Sequence, residues 1–113
     1  MQKGKVIILP KILDSLDELA IILYEKEYFG FWETSSNYFK ELLKEIRTKL
    51  PLSPKKPAPK HFTDRYGKGL YYAVFTKNKR TQWYAFFRIY EVDGETYYQV
   101  RHIENNHTAA LYF

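Results

Sequence analysis

The chain has 113 residues, of which 45% are hydrophobic and 19% aromatic, with a formal net charge of +5 and no cysteine. That is enough apolar surface for one core, and the missing thiols exclude a disulfide framework, a thiolate nucleophile and a thiolate metal site. No apolar run approaches the about 20 residues of a bilayer-spanning helix, and Val6 to Leu9 is too short for a signal-peptide core, so the sequence reads as one soluble, cytoplasmic domain spanning 1–113.

Lys5 to Leu9 reads as a short buried strand ended by Pro10. Leu13 to Glu27 follows with apolar residues at 13, 16, 19, 20 and 23, a helical spacing, and Asp14 or the Ser15-Leu16-Asp17-Glu18 run can cap its start. Tyr28-Phe29-Gly30-Phe31-Trp32 makes a turn. A second helix begins among the capping residues from Thr34 to Asn37 and runs to about Leu50, with Tyr38, Phe39, Leu42, Leu43, Ile46 and Leu50 on one side. Pro51 stops it. Residues 51–60 form a Pro/Lys linker, stiffened by proline and solvated by lysine.

Three strand patterns fill most of the rest: Gly69 to Thr76, Thr81 to Val92 and Glu95 to Ile103. Taking Asp93-Gly94 as a two-residue turn pairs Val92 with Glu95, Arg88 with Gln99, Phe87 with Val100, Phe86 with Arg101 and Ala85 with His102. Closing the other hairpin around Lys77 to Arg80 sets Val74 opposite Trp83 and Leu70 opposite Phe87. One face then collects Leu70, Tyr72, Val74, Trp83, Phe87, Ile89, Tyr98 and Val100, a surface to lie against the helices. The other collects Tyr71, Phe75, Tyr84, Phe86, Arg88, Tyr90, Tyr97, Gln99 and Arg101. Aromatic rings with guanidinium groups among them suit exposed bases and phosphates. The plainer expectation is that the C-terminal tail or a partner covers this face.

Charge sharpens the expectation. Residues 1–50 balance eight Lys/Arg against eight Asp/Glu, whereas 51–113 carry ten against five, together with all three histidines. A one-sided basic excess points to an anionic partner, nucleic acid foremost, although solubility accounts for many such charges.

A strand, a two-helix hairpin, a linker and an antiparallel three-stranded meander is the order of elements in the RelE/ParE toxin superfamily. The runs Thr81-Gln82-Trp83-Tyr84-Ala85-Phe86-Phe87 and Val100-Arg101-His102-Ile103-Glu104-Asn105-Asn106-His107 are similar to those of small toxin-like proteins in it. The resemblance implies an α+β fold, one sheet packed against the helices, and the toxin of a type II toxin-antitoxin pair, neutralised by a cognate antitoxin. RelE-like members cut messenger RNA on the ribosome without a metal; ParE-like members inhibit DNA gyrase. Arg101 matches the last-strand arginine of the ribonuclease members, His107 or Tyr112 the terminal acid/base, and Lys77, Lys79 and Arg80 the further cations. The ending Asn105-Asn106-His107 departs from the usual ribonuclease pattern.

Metal-free RNA cleavage requires a deprotonated 2′-hydroxyl, a stabilised phosphorane and a protonated leaving group. On this expectation His107 is the acid or base, Arg101 and Arg80 hold the phosphate, Asn105 and Asn106 orient the nucleotide, and Lys77, Lys79, Tyr84, Phe86 and Arg88 contact RNA. The returning last strand should bring His102 to His107 near the 77–80 loop. Each role has a plainer rival. His102, on the core face with Ala85, reads as structural; Asn105-Asn106 can simply end a strand; hairpin-tip cations usually serve solubility; and His61 has no visible companion. Histidines at 61, 102 and 107 match no zinc-ligand spacing, and neither Glu33 nor Glu104 has a paired carboxylate. No metal or cofactor is called for.

Overall fold

The structure, a computed structural model, describes residues 4–27 and 30–113. The turn expected at 28–32 therefore lies partly outside the described residues, at Tyr28 and Phe29.

Strand β1 (Gly4–Ile8) carries the β-branched run Val6-Ile7-Ile8. Pro10 lacks the N–H that would continue a strand ladder, but its fixed φ suits the first turn of a helix. Helix α1 (Pro10–Glu25) accordingly starts there, with Leu9 extended before it. The helix thus begins earlier than the capping residues suggested; Ser15 bonds the Lys11 carbonyl within the helix instead. Helix α2 (Trp32–Lys49) also starts without a side-chain cap. Ile12, Leu16 and Ala20 of α1 meet Ser35, Phe39, Leu42 and Ile46 of α2 in the core. The hydroxyl of the fully buried Ser35 donates to the Ala20 carbonyl at 2.7 Å, so two small residues set the close approach of the helices.

The linker is partly structured. A 3-10 turn occupies Leu50–Leu52, β2 (Lys56–Pro57) pairs with the next strand, and α3 (Lys60–Tyr66) follows, a helix absent from the sequence expectation. Then come β3 (Tyr71–Thr76), β4 (Gln82–Val92), β5 (Glu95–Asn105), the single helical turn α4 (Asn106–Ala109) and a final 3-10 turn at Ala110–Tyr112. The outcome is α+β, but with a five-stranded mixed sheet in the order β1-β5-β4-β3-β2, in which β1 runs parallel to β5.

Register explains the remaining corrections. From Val92↔Glu95 to Phe87↔Val100, β4 and β5 pair as the Asp93-Gly94 turn dictates. Asp93 and Gly94 both have positive φ, the conformation such a turn needs. Beyond Phe87 a bulge intervenes: Phe86 pairs with His102 and Ala85 with Ile103, leaving Arg101 as the extra residue. Ile103 then points to the core and His102 to the opposite face, the reverse of the expected placement.

The β3-β4 hairpin is also one residue out, because Thr76 pairs with Gln82 and the loop includes Thr81. The Asn78 side chain accepts from the backbone N–H groups of Arg80 and Thr81, which closes that longer loop. Phe75 and Tyr71 consequently join the core with Ala73, whereas Leu70 and Tyr72 belong to the other face. That second face is covered: Phe62 of α3 stacks on Phe86 at 4.2 Å between ring centroids, and Phe113 stacks on Tyr84 at 5.0 Å.

Candidate functional site

The bulge at Arg101 shapes the chemistry of the outer sheet face. An extra residue in one strand of a ladder re-aims the side chains around it, and here Gln99, Arg101, His102 and Glu104 make their contacts on one side. Arg101 Nε donates to Gln99 Oε1 at 2.9 Å, Nη1 to the Tyr66 carbonyl at 2.8 Å and Nη2 to the Tyr90 hydroxyl. The guanidinium is therefore fixed before any ligand arrives.

It lines a cleft of 440 Å³ with Leu9, Lys11, Arg65, Tyr66, Gly67 and Gln99. Each element contributes for a local reason. β1 ends opposite Val100, so the chain leaves the sheet at Leu9 and carries Lys11 past the bulge. α3 ends at Gly67, whose φ of +114° terminates the helix and leaves Arg65 and Tyr66 at the rim. Three cations and no carboxylate line this cleft, and among the described residues no carboxylate lies within ion-pair distance of Lys11, Arg65 or Arg101. Such a field, beside a fixed guanidinium fork, suits a phosphate.

Beside it, His102 and Glu104 form a pair with Nε2 and Oε1 2.6 Å apart. The imidazole stacks on Tyr66 at 4.3 Å and neighbours Phe86 at 5.8 Å between centroids. Burial, followed by the Glu104 carboxylate, pushes the Tyr66 phenol above its ordinary value.

The sequence-derived candidates do not converge on one place. His107 lines a separate cleft of 430 Å³ with Asn105, Asn78, Thr81, Trp83, Tyr38 and Leu23. Between Arg101 and Asn105 lie four strand steps, roughly 13 Å at about 3.3 Å per residue. The last strand does return to the hairpin loop: Asn106 accepts from the Gln82 N–H at 3.0 Å and donates to the Arg80 carbonyl at 3.1 Å. The Asn105 side chain accepts from the His107 N–H. The Asn106 amide thus ties the chain after β5 to the start of β4, and the Asn105 amide caps α4.

Lys77 sits over the Tyr38 ring at 5.4 Å, and Lys79 and Arg80 are exposed on the loop. Tyr112 lies flat on His61, 3.4 Å between centroids, so that histidine does have a companion. Arg88 is held over the Tyr90 ring at 5.2 Å. Phe86 is wholly buried and offers no open ring to a base, which corrects its expected RNA contact. Tyr84 is partly covered by Tyr72 and Phe113.

Lys11, Arg65, Tyr66 and Gly67 are absent from the sequence-derived candidates, which give His102 and Glu104 no catalytic role. The available signals were the alternation His102-Ile103-Glu104, which puts an imidazole and a carboxylate on one strand face, and Arg65-Tyr66-Gly67, where a cation precedes a chain-turning glycine. Among the described residues no group of three or more His, Asp or Glu side chains could hold a metal ion, and no helix is long and apolar enough to cross a membrane. Comparison with protein-family models, curated proteins and solved structures gives no match.

Proposed function

We propose that this chain is a RelE/ParE-like toxin domain of a type II toxin-antitoxin pair that acts on RNA. In this reading it is a metal-independent endoribonuclease, cutting messenger RNA at the ribosome in the cytoplasm and restrained by a cognate antitoxin. The observation that supports it is the Arg101 cleft: a guanidinium fixed by Gln99, Tyr66 and Tyr90, flanked by Lys11 and Arg65 and free of carboxylates. Preorganised positive charge is what a phosphorane requires, because it stabilises developing negative charge without reorganising as the reaction proceeds.

The separation of His107 from Arg101 favours a second reading, in which the same fold binds without cleaving, as in a ParE-like inhibitor of DNA gyrase. Induction in a bacterial host, with growth and messenger RNA ends followed for the unmodified chain and an Arg101→Ala variant, separates the two. Growth arrest with new RNA ends, both lost in the variant, supports the nuclease. Arrest with intact messenger RNA and inhibited gyrase supports the second reading, and no arrest contradicts both.

A further inference from the structure

Arginine and lysine supply charge but no proton acceptor at neutral pH, so the Arg101 cleft alone cannot deprotonate a 2′-hydroxyl. His102 follows Arg101 in the chain and, through the bulge, makes its contacts on the outer face beside it. Tyr66 joins the two: its carbonyl takes the Arg101 Nη1 hydrogen bond while its ring stacks on the imidazole. A carboxylate only accepts hydrogen bonds, so Glu104 fixes the proton of the neutral ring on Nε2 and leaves the lone pair on Nδ1. Among the described residues Nδ1 has no hydrogen-bond partner, and it is not sealed from solvent. An imidazole clamped on its face, held at one nitrogen by a carboxylate and open at the other has the arrangement of a general base with its orienting partner.

We infer that His102, positioned by Glu104, is the general base for phosphodiester transfer at the Arg101 cleft, with single-stranded RNA as substrate; this rests on the endoribonuclease reading above. Nδ1 takes the 2′-hydroxyl proton as the 2′-oxygen bonds to phosphorus. The bond from phosphorus to the 5′-oxygen breaks, and that oxygen takes a proton from water. The hydroxide so formed recovers the proton from the imidazolium, leaving a 2′,3′-cyclic phosphate, a 5′-hydroxyl and neutral His102. Arg101 faces the negative charge of the phosphorane, and Glu104 is a positioning residue that does not touch the substrate.

The test uses the full chain with labelled single-stranded RNA, alone and in a translating extract, measuring cleavage, RNA binding and thermal melting. His102→Gln and Glu104→Gln are expected to melt cooperatively and bind RNA within about twofold of the unmodified chain while cleaving about 10²-fold more slowly, the scale of a lost general base. The loss falls in kcat with KM held, and Glu104→Asp recovers part of it. Should His102→Gln fail to fold, His102→Ala is assayed with added imidazole. Restored cleavage supports the role, and none restored counts against it. Full-rate cleavage by His102→Gln overturns the inference and leaves the nuclease reading standing. An unmodified chain that cuts no RNA in either setting overturns both.

Discussion

Gly67 leaves open the space that Arg101 Nη1 occupies: a Cβ built on Gly67 would overlap that nitrogen, and the residue also holds a φ of +114°. The end of α3 and the bulge of β5 are therefore fitted to one another, and the guanidinium can reach the Tyr66 carbonyl only because position 67 has no side chain. Gly67→Ala is expected to cost about 1–3 kcal/mol from backbone strain alone and to weaken RNA binding by displacing Arg101. Gly30, with nothing near its would-be Cβ, is the control; its replacement by alanine should stay within about 0.5 kcal/mol. Chemical denaturation and RNA titration of both variants check this.

Phe86 supports the fold rather than the ligand. Its ring is fully buried beneath Phe62, so Phe86→Ala should lose about 3–5 kcal/mol, as large-to-small aromatic replacements in cores do. RNA affinity, corrected for the folded fraction in a urea titration, should then be unchanged.

The contact between Ser35 and Ala20 sets how closely α1 and α2 approach. Ser35→Ala removes a buried hydrogen bond, at about 0.5–1.5 kcal/mol, while Ser35→Leu forces extra volume into a closed gap, at about 1–3 kcal/mol. A larger loss for leucine than for alanine in equilibrium unfolding is the expected order.

Alkaline pH should destabilise the protein through three named groups. Burial, then the Glu104 carboxylate, raises the Tyr66 phenol from its ordinary 10.0. Hydrogen bonds to Glu95 raise Tyr97 from 10.0 and Lys5 from 10.5. Each group holds its proton more tightly folded than unfolded, so its stabilisation is complete below the unfolded value and is lost as pH rises through the folded one. Glu95 acts in the opposite sense. Its carboxyl is held below 4.5 by the Tyr97 hydroxyl and then by Lys5, so its contribution exists above that value and fades as pH falls. Melting temperature should therefore decline above about pH 10, less steeply in Tyr66→Phe, with the exposed Lys5 and Glu95 contribution shrinking in high salt.

Much of the architecture follows from local pattern. Of the apolar positions read at 13, 16, 19, 20 and 23, Leu16 and Ala20 are buried and Leu13, Leu19 and Leu23 pack partly against the core, while Ile12 joins them from ahead of the expected start; Asp93-Gly94 fixes the β4-β5 register as far as Phe87↔Val100. The pattern fails at Arg101 because a bulge is an insertion between neighbours of similar polarity: Arg101 and His102 give no contrast from which to see that the alternation has slipped. In β3, aromatic residues on both faces hide a one-residue shift, and only the Asn78 turn reveals the longer loop. The seven-residue α3 carries too little periodicity to stand out beside a Pro/Lys segment. Since α3 supplies Arg65, Tyr66 and Gly67 while the bulge aims Arg101, the cationic cleft depends on the two features that local pattern leaves unmarked.

The central claim, that the Arg101 cleft seats RNA phosphate, is tested most directly by the salt dependence of single-stranded RNA binding. The unmodified chain is measured beside Arg101→Gln and Arg65→Gln, each first verified to be folded. Each lost phosphate contact should weaken binding and reduce the slope of log K against log salt by about 0.7. Slopes and affinities in both folded variants identical to those of the unmodified chain would contradict the claim and place RNA contact elsewhere on the protein.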